Sequence, residues 1–161
     1  MITGPVTSCI GIDSGKTVGM GFLDYANRQL VGISLIQADY ISAPVVLEAM
    51  LGRYYADPEH VPLRFAGVEA FLAGRSAGSK GQYAELTRQV VFDMSQILQS
   101  WGYHVSKRPA AEVKTWATNK RLESIGFAER SSMTDMNHAW DGGRHALFTA
   151  KHDAHLPDPL R

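Results

Sequence analysis

The stretch TSCIGIDSGKTVGMGFLDYANRQLVGISLIQ, residues 7–37, contains three apolar runs that are separated only by short turns. We expect strands over 7–14, 18–25 and 29–37, because each run is typical of a buried strand and is bounded by turn-forming residues. Connections of hairpin length cannot join parallel neighbours. The chain is therefore predicted to begin with an antiparallel three-stranded meander.

Beyond residue 37 the sequence alternates helical and strand-like patterns. Residues 82–101 give the clearest helix, since apolar side chains recur there at steps of three and four. Gly142 and Gly143 weaken the last helix, and Pro157 and Pro159 favour a disordered tail. The other expected elements are strands over 63–68 and 103–106 and helices over 43–55, 110–117 and 134–151. This order predicts an α/β fold with flanking helices on a mixed five-stranded sheet.

Length and composition favour one globular domain. The chain has 161 residues, of which 45% are hydrophobic and 20% are charged, and this excludes disordered and collagen-like chains. We expect one domain over 1–161, with an ordered core over about 7–152. The single cysteine, Cys9, cannot form an internal disulfide. No apolar run reaches membrane-spanning length and no secretory signal is evident, so a cytoplasmic location is expected.

The formal net charge of zero conceals a local basic segment. Residues 101–134 contain six basic and three acidic side chains. A neutral total weakens the case for nucleic-acid binding, whereas the local excess keeps that function open. A solvated surface explains the same charges.

The first candidate for chemistry is Asp13, at the end of the first strand. The surrounding sequence GIDSGKT resembles a phosphate-binding loop, but that loop needs a glycine where this chain has Ile10. A strand-end carboxylate suits a hard divalent cation. A turn-forming aspartate that accepts backbone N–H bonds is the alternative.

Glu69 gives a second carboxylate at the end of a strand. It follows the apolar run over 63–68, and lone acids in such positions are commonly just solvated. Two strand-end carboxylates in one sheet can meet when their strands are neighbours, so Glu69 and Asp13 are predicted to form a pair.

The last predicted helix carries a third group of polar side chains. Asp135, His138 and Asp141 are spaced by three residues, and His145 follows Asp141 by four. These spacings put the four side chains on one helix face, which can complete a metal site that two strands begin. The alternative is a polar, solvent-facing helix that Asp135 caps.

Taken in order, these motifs resemble the Holliday junction resolvases of the RuvC type, over roughly residues 8–152. The resemblance rests on GIDSGKTVGMGFLD, AGVEAFLAGRSAGS, AAEVKTWAT and the late His/Asp-x-x-Asp helix. Ser14 departs from the Asp-Pro-Gly of the family, and HAWDGGRHAL is similar to a bacteriophage-encoded branch. The resemblance implies an RNase H-like fold, a homodimer and metal-dependent cleavage of branched DNA.

The resemblance also implies the catalytic residues. Asp13 would bridge two divalent ions, with Glu69, His138 and Asp141 completing the ligand set and Asp135 competing with His138. Two such ions activate water and stabilise the leaving oxygen in phosphodiester hydrolysis. An imidazole ligand suits Mn²⁺ better than Mg²⁺, so we expect Mn²⁺ to support activity at least as well.

Contacts to DNA are implied in the same way. Lys114 and Lys120 would lie near the scissile phosphate, and Phe71 would stack on a base near the crossover. Core packing of Phe71 and solvation of the two lysines are the alternatives. Salt-sensitive contacts to backbone phosphates are expected from a further set of basic residues: Arg75, Lys80 and Lys107.

The long helix over 82–101 carries more apolar side chains than a small sheet must cover. Tyr83, Val91 and Phe92 lie beside its main stripe. The excess favours a two-fold dimer contact, with core packing alone as the alternative.

Three other functions compete with a junction nuclease. A nucleotide-binding protein of the actin and sugar-kinase type shares the Asp-x-Gly-x-Thr start, but it needs a second domain for which 161 residues leave no room. No nucleotide cofactor is therefore expected. An RNase H acting on RNA–DNA hybrids and a non-catalytic DNA-binding domain of the same fold stay open.

Overall fold

A computed structural model of the chain describes residues 4–71, 81–125 and 136–160. Its strands are Val6–Asp13 (β1), Thr17–Ala26 (β2), Gln29–Asp39 (β3), Leu63–Glu69 (β4) and His104–Arg108 (β5). Its helices are Ala43–Tyr54 (α1), Gln82–Ser100 (α2), Ala110–Trp116 (α3), Asn119–Glu123 (α4) and Asn137–His152 (α5). Among these helices, none is both long and apolar enough to cross a membrane.

The strands form one mixed sheet in the order β3-β2-β1-β4-β5. Strand β1 pairs antiparallel with β2, and β2 pairs antiparallel with β3. The predicted meander is thus confirmed. Strands β4 and β5 extend the sheet on the other side of β1, and both pairings are parallel.

Helices cover both faces of the sheet. Because successive strand residues point to opposite sides, each inner strand contributes side chains to both layers. Ile10 packs in a core with α1 and α2, whereas its neighbour Cys9 packs in a second core with α5. The predicted α/β architecture is confirmed. The short helix α4 has no counterpart among the predicted elements; its N-cap is Thr118, whose side chain accepts a hydrogen bond from the backbone N–H of Arg121.

Helix α5 approaches the sheet so closely that backbone meets backbone. A Cβ atom added to Gly142 would lie 2.7 Å from the carbonyl carbon of Gly19 and 2.8 Å from the amide nitrogen of Met20. A Cβ at Gly21 would lie 2.6 Å from the amide nitrogen of Gly143. The glycine pair that weakened the helix prediction is therefore what lets the helix pack here.

The expectation of a disordered tail is wrong for residues 153–160. Leu156 and Leu160 are buried in the core beneath α5. Arg121 ion-pairs with Asp158 at 2.5 Å and donates to the carbonyl of Leu160 at 3.2 Å. The anchoring groups lie in distant elements, so the local proline content gave no sign of them.

Candidate active site

Two carboxylates end neighbouring strands at one edge of the sheet, which we call the carboxylate edge. Ile12 of β1 lies opposite Val68 of β4, so the next residues, Asp13 and Glu69, emerge together. Asp13 is only 7% exposed. The two side chains share a hydrogen bond. The predicted pairing of strand-end carboxylates is present in the fold.

Helix α5 adds two imidazoles to this pair. Nδ1 of His138 lies 2.8 Å from Oδ2 of Asp13, and Nε2 of His145 lies 3.4 Å from Oε2 of Glu69. The two histidines are seven residues apart, so both face the sheet edge. Each carboxylate therefore has an imidazole beside it.

Asp141 contributes the third carboxylate, and two cations hold it. Nζ of Lys114 lies 2.7 Å from Oδ2 of Asp141, and Nε of Arg144 lies 3.2 Å from Oδ1. Arg144 also donates to the carbonyl of Ala117 at 2.5 Å and to Oδ1 of Asn119 at 2.6 Å. Arg144 thus ties α5 to the turn between α3 and α4.

Crowding of negative charge shifts the protonation of Asp13. Burial, the hydrogen bond that the protonated Asp13 carboxyl donates to Glu69, and the charges of Glu69 and Asp141 raise the pKa of Asp13 well above its usual range, although the charge of Lys114 lowers it. Like-charged carboxyls in contact cannot both ionise freely. The carboxylate edge therefore retains a proton near neutral pH.

The pKa values of Glu69 and Lys114 move in the directions that favour their charged forms. Burial raises the pKa of Glu69, but hydrogen bonds with His145 and Asp13 lower it below its usual value overall. Partial burial lowers the pKa of Lys114, but the hydrogen bond and charge of Asp141 raise it overall. A cation and an anion are thus fixed within one small cluster.

The donor set has the chemistry of a divalent-cation site. Three carboxylates and an imidazole suit Mg²⁺ or Mn²⁺, with the nitrogen favouring Mn²⁺. Asp13 and Glu69 retain a proton because their two negative charges repel each other. A divalent cation can neutralise the same charge in place of that proton. Within the described ranges, however, no group of three or more His, Cys, Asp or Glu side chains is already arranged to hold a metal ion.

The predicted DNA contacts are more scattered. Phe71 is half-buried against the core of α1 and α2, and the guanidinium of Arg88 lies 5.2 Å from the centre of its ring. Lys107 is exposed on β5, and Lys120 is exposed on α4. Three other predicted site residues lie outside the described residues: Arg75, Lys80 and Asp135.

The ligands and DNA contacts predicted from the sequence do not include two residues of this cluster, Arg144 and His145. The spacing of His145 from Asp141 and His138 put it on the correct helix face. Burial of its ring against Glu69 could not be read from that spacing. The contacts of Arg144 with Ala117 and Asn119 gave no signal in the sequence, because those two residues lie far away in the chain.

Comparisons with known proteins give likeness in fold alone. No family model and no curated protein matches the sequence. A Thermus thermophilus RuvC in complex with a Holliday junction substrate matches with a TM-score of 0.62 and 15% identity, covering 94% of this chain and 96% of that one. A second Thermus thermophilus RuvC structure matches with a TM-score of 0.59 and 15% identity, over 93% and 96% of the two chains. The RuvC-like, RNase H-like fold is therefore shown.

Proposed function

We propose that this chain is a metal-dependent endonuclease that resolves Holliday junctions and other branched DNA. The observation that carries the proposal is the convergence of Asp13, Glu69, His138 and Asp141 at the carboxylate edge, with Lys114 beside them. A fold shared with a RuvC in complex with a Holliday junction supports branched DNA as the substrate. The phage origin rests only on the sequence form around Arg144 and His145.

The residues that would hold the cations are Asp13, Glu69, His138 and Asp141, with Asp135 as the competitor of His138. Two divalent ions would supply Lewis acidity for a water molecule and for the leaving oxygen of the phosphodiester. Burial of Asp13 and Glu69 keeps bulk water from screening their charge, so a bound cation is held strongly.

Lys114 has two roles in this scheme. Its ammonium neutralises Asp141, with Nζ 2.7 Å from Oδ2. Its side chain is half exposed, so it can turn toward a phosphate that enters the site. A fixed cation beside the scissile phosphate stabilises the negative charge that develops in the transition state. Lys120, which is exposed on α4, would bind a neighbouring phosphate.

DNA binding would otherwise be electrostatic. Lys107, Arg75 and Lys80 would contact backbone phosphates, which gives salt-sensitive affinity with little dependence on sequence. Phe71 would stack on a base near the crossover, although its packing against the core and its contact with Arg88 also suit a structural role. We propose a homodimer, because a four-way junction offers two equivalent strands for paired nicks.

The experiment that tests this function compares four substrates with the purified protein: a four-way junction, a flap, a plain duplex and an RNA–DNA hybrid. Each is incubated with Mg²⁺ or Mn²⁺. We expect paired, symmetric nicks in the junction, with Mn²⁺ at least as effective as Mg²⁺. Activity with Mg²⁺ alone would contradict His138 as a ligand.

The control variants separate binding from chemistry. Asp13→Asn should abolish cutting and preserve junction binding. Asp24→Asn changes another partly buried carboxylate, which lies on β2 opposite Ser8, far from the carboxylate edge. It should leave both properties intact. Cleavage of the hybrid alone would indicate an RNase H, and junction binding without any cleavage by the unaltered protein would indicate a non-catalytic domain.

A further inference from the structure

His145 is held rigidly at the interface between α5 and the sheet. The residue is 2% exposed. A Cβ atom on Gly11 would lie 2.8 Å from the carbonyl carbon of His145, and one on Gly67 would lie 3.2 Å from its carbonyl oxygen. The backbone at His145 therefore lies directly on β1 and β4, and its ring has little freedom to move.

The ring of His145 is a polar group in an apolar setting. Its helical neighbours Ala146 and Leu147 are fully buried. Nδ1 of the ring is buried and has no hydrogen-bond partner among the described residues. Burying an imidazole with only one nitrogen satisfied costs free energy that a leucine at this position would not. Packing alone does not explain a histidine here.

The other ring nitrogen contacts a carboxylate at the carboxylate edge. Nε2 lies 3.4 Å from Oε2 of Glu69. Because an ionised carboxylate can only accept, Nε2 must carry the proton in that contact. The glutamate chain has several rotatable bonds, and a fixed donor at one oxygen restricts the directions in which the other can point.

We propose that His145 is a positioning residue, which holds the carboxylate of Glu69 ready to receive a divalent cation together with Asp13. This inference rests on the proposed function, since it assigns Glu69 to the cation site. Hydrogen bonds to ligating carboxylates typically change metal affinity by about 10- to 100-fold. His145 itself would contact neither the cation nor the DNA.

The test measures binding of Mn²⁺ alone, by titration calorimetry, to the full-length protein and three variants. His145→Leu removes the donor and fills the space. His145→Gln restores an N–H near the position of Nε2, whereas the shorter His145→Asn does not reach it. His152→Gln changes an exposed histidine on the same helix and serves as the control.

We expect the dissociation constant for Mn²⁺ to rise about 10- to 100-fold in His145→Leu and His145→Asn. It should return to within about threefold of the original in His145→Gln and should not change in His152→Gln. Thermal unfolding without metal reports on folding, and His145→Leu should unfold no earlier than the unaltered protein.

The possible failures are distinguishable. Equal Mn²⁺ affinity in the unaltered protein and in His145→Leu would overturn the positioning role and leave the nuclease proposal standing. Equally weakened Mn²⁺ binding in all three His145 variants, with no recovery in His145→Gln, would also overturn the positioning role. Absence of Mn²⁺ binding and of junction cutting in the unaltered protein would overturn both proposals.

Discussion

Asp13 is buried beside the carboxylates of Glu69 and Asp141, and this position makes its ionised form unfavourable before a cation binds. The folded-state pKa of Asp13 is raised, so the folded protein binds a proton that the unfolded chain has already released. Stability contributed by this group is present at low pH and is lost as pH rises through the folded-state pKa. The ionised carboxylate of Asp13, which would bind a cation, therefore destabilises the folded protein when no cation is bound.

Asp13→Asn should stabilise the metal-free protein, and the gain should grow between pH 5 and pH 8. An asparagine fills the same space, accepts from His138 and donates to Glu69 without adding charge. We expect the free energy of unfolding to rise by about 0.5–2 kcal/mol at pH 8, a range typical of a single stabilising substitution.

Urea unfolding in the presence of a chelator measures this difference at pH 5, 6.5 and 8. Comparing the two proteins at each pH cancels the titration of histidines elsewhere. Excess Mn²⁺ should reverse the order, because only the unaltered protein gains from the cation. A variant less stable than the original at pH 8 without metal would contradict the charge argument.

At the scale of elements, the site depends on how closely α5 lies on β1 and β2. Gly142 and Gly143 face Gly19 and Gly21 across this contact. A side chain at Gly19, Gly21 or Gly142 would push the helix outward. His138 and Asp141 are carried on the first turns of the same helix, so they would move with it.

Gly142→Ala should therefore destabilise the protein although alanine is the better helix former. The added Cβ meets backbone atoms of Gly19 and Met20 at 2.7–2.8 Å, and backbone cannot move aside cheaply. We expect the free energy of unfolding to fall by about 1–3 kcal/mol, as for other overpacked cores. Mn²⁺ should also bind more weakly. Thermal and urea unfolding measure the first effect.

Gly52→Ala is the matched control, because Gly52 also lies inside a helix, α1. Its added Cβ would have only the ring edge of Trp101 nearby, at 3.8 Å. This variant should gain about 0.5–1 kcal/mol from helix propensity. Equal effects of the two alanines would show that α5 can shift without penalty.

The same contact explains what the sequence could and could not predict. Apolar periodicity identified the meander and α2, and strand ends identified Asp13 and Glu69, because those signals are local. Gly142 and Gly143 weakened the prediction of the last helix. They are explained by a backbone contact with residues over 120 positions earlier in the chain, which no local pattern shows. The interactions of Arg144 and the packing of Leu160 likewise depend on partners that no local pattern shows.

At the scale of the whole molecule, the side of the fold formed by α1 and α2 carries large apolar side chains that the described chain leaves exposed. Ile41, Val45 and Phe92 are 70%, 69% and 56% exposed, where α1 and α2 lie side by side. A groove of about 400 Å³ runs between them and is lined in part by Leu86 and Val90. The sequence-based dimer surface is corrected in one respect, because Val91 is buried in the core.

Phe92→Asp should weaken the proposed homodimer, since it places a charge on this surface. Central aromatic anchors commonly contribute about 2 kcal/mol or more to an interface, so the dimer dissociation constant should rise at least about 30-fold. Sedimentation equilibrium measures it, with Val31→Asp as control, because Val31 is 44% exposed on the edge strand β3. Phe92→Asp should also convert paired nicks in a junction into single nicks. A Phe92→Asp variant that stays dimeric would show that the interface lies elsewhere. An unaltered protein that is monomeric and still makes paired nicks would overturn the proposed dimer.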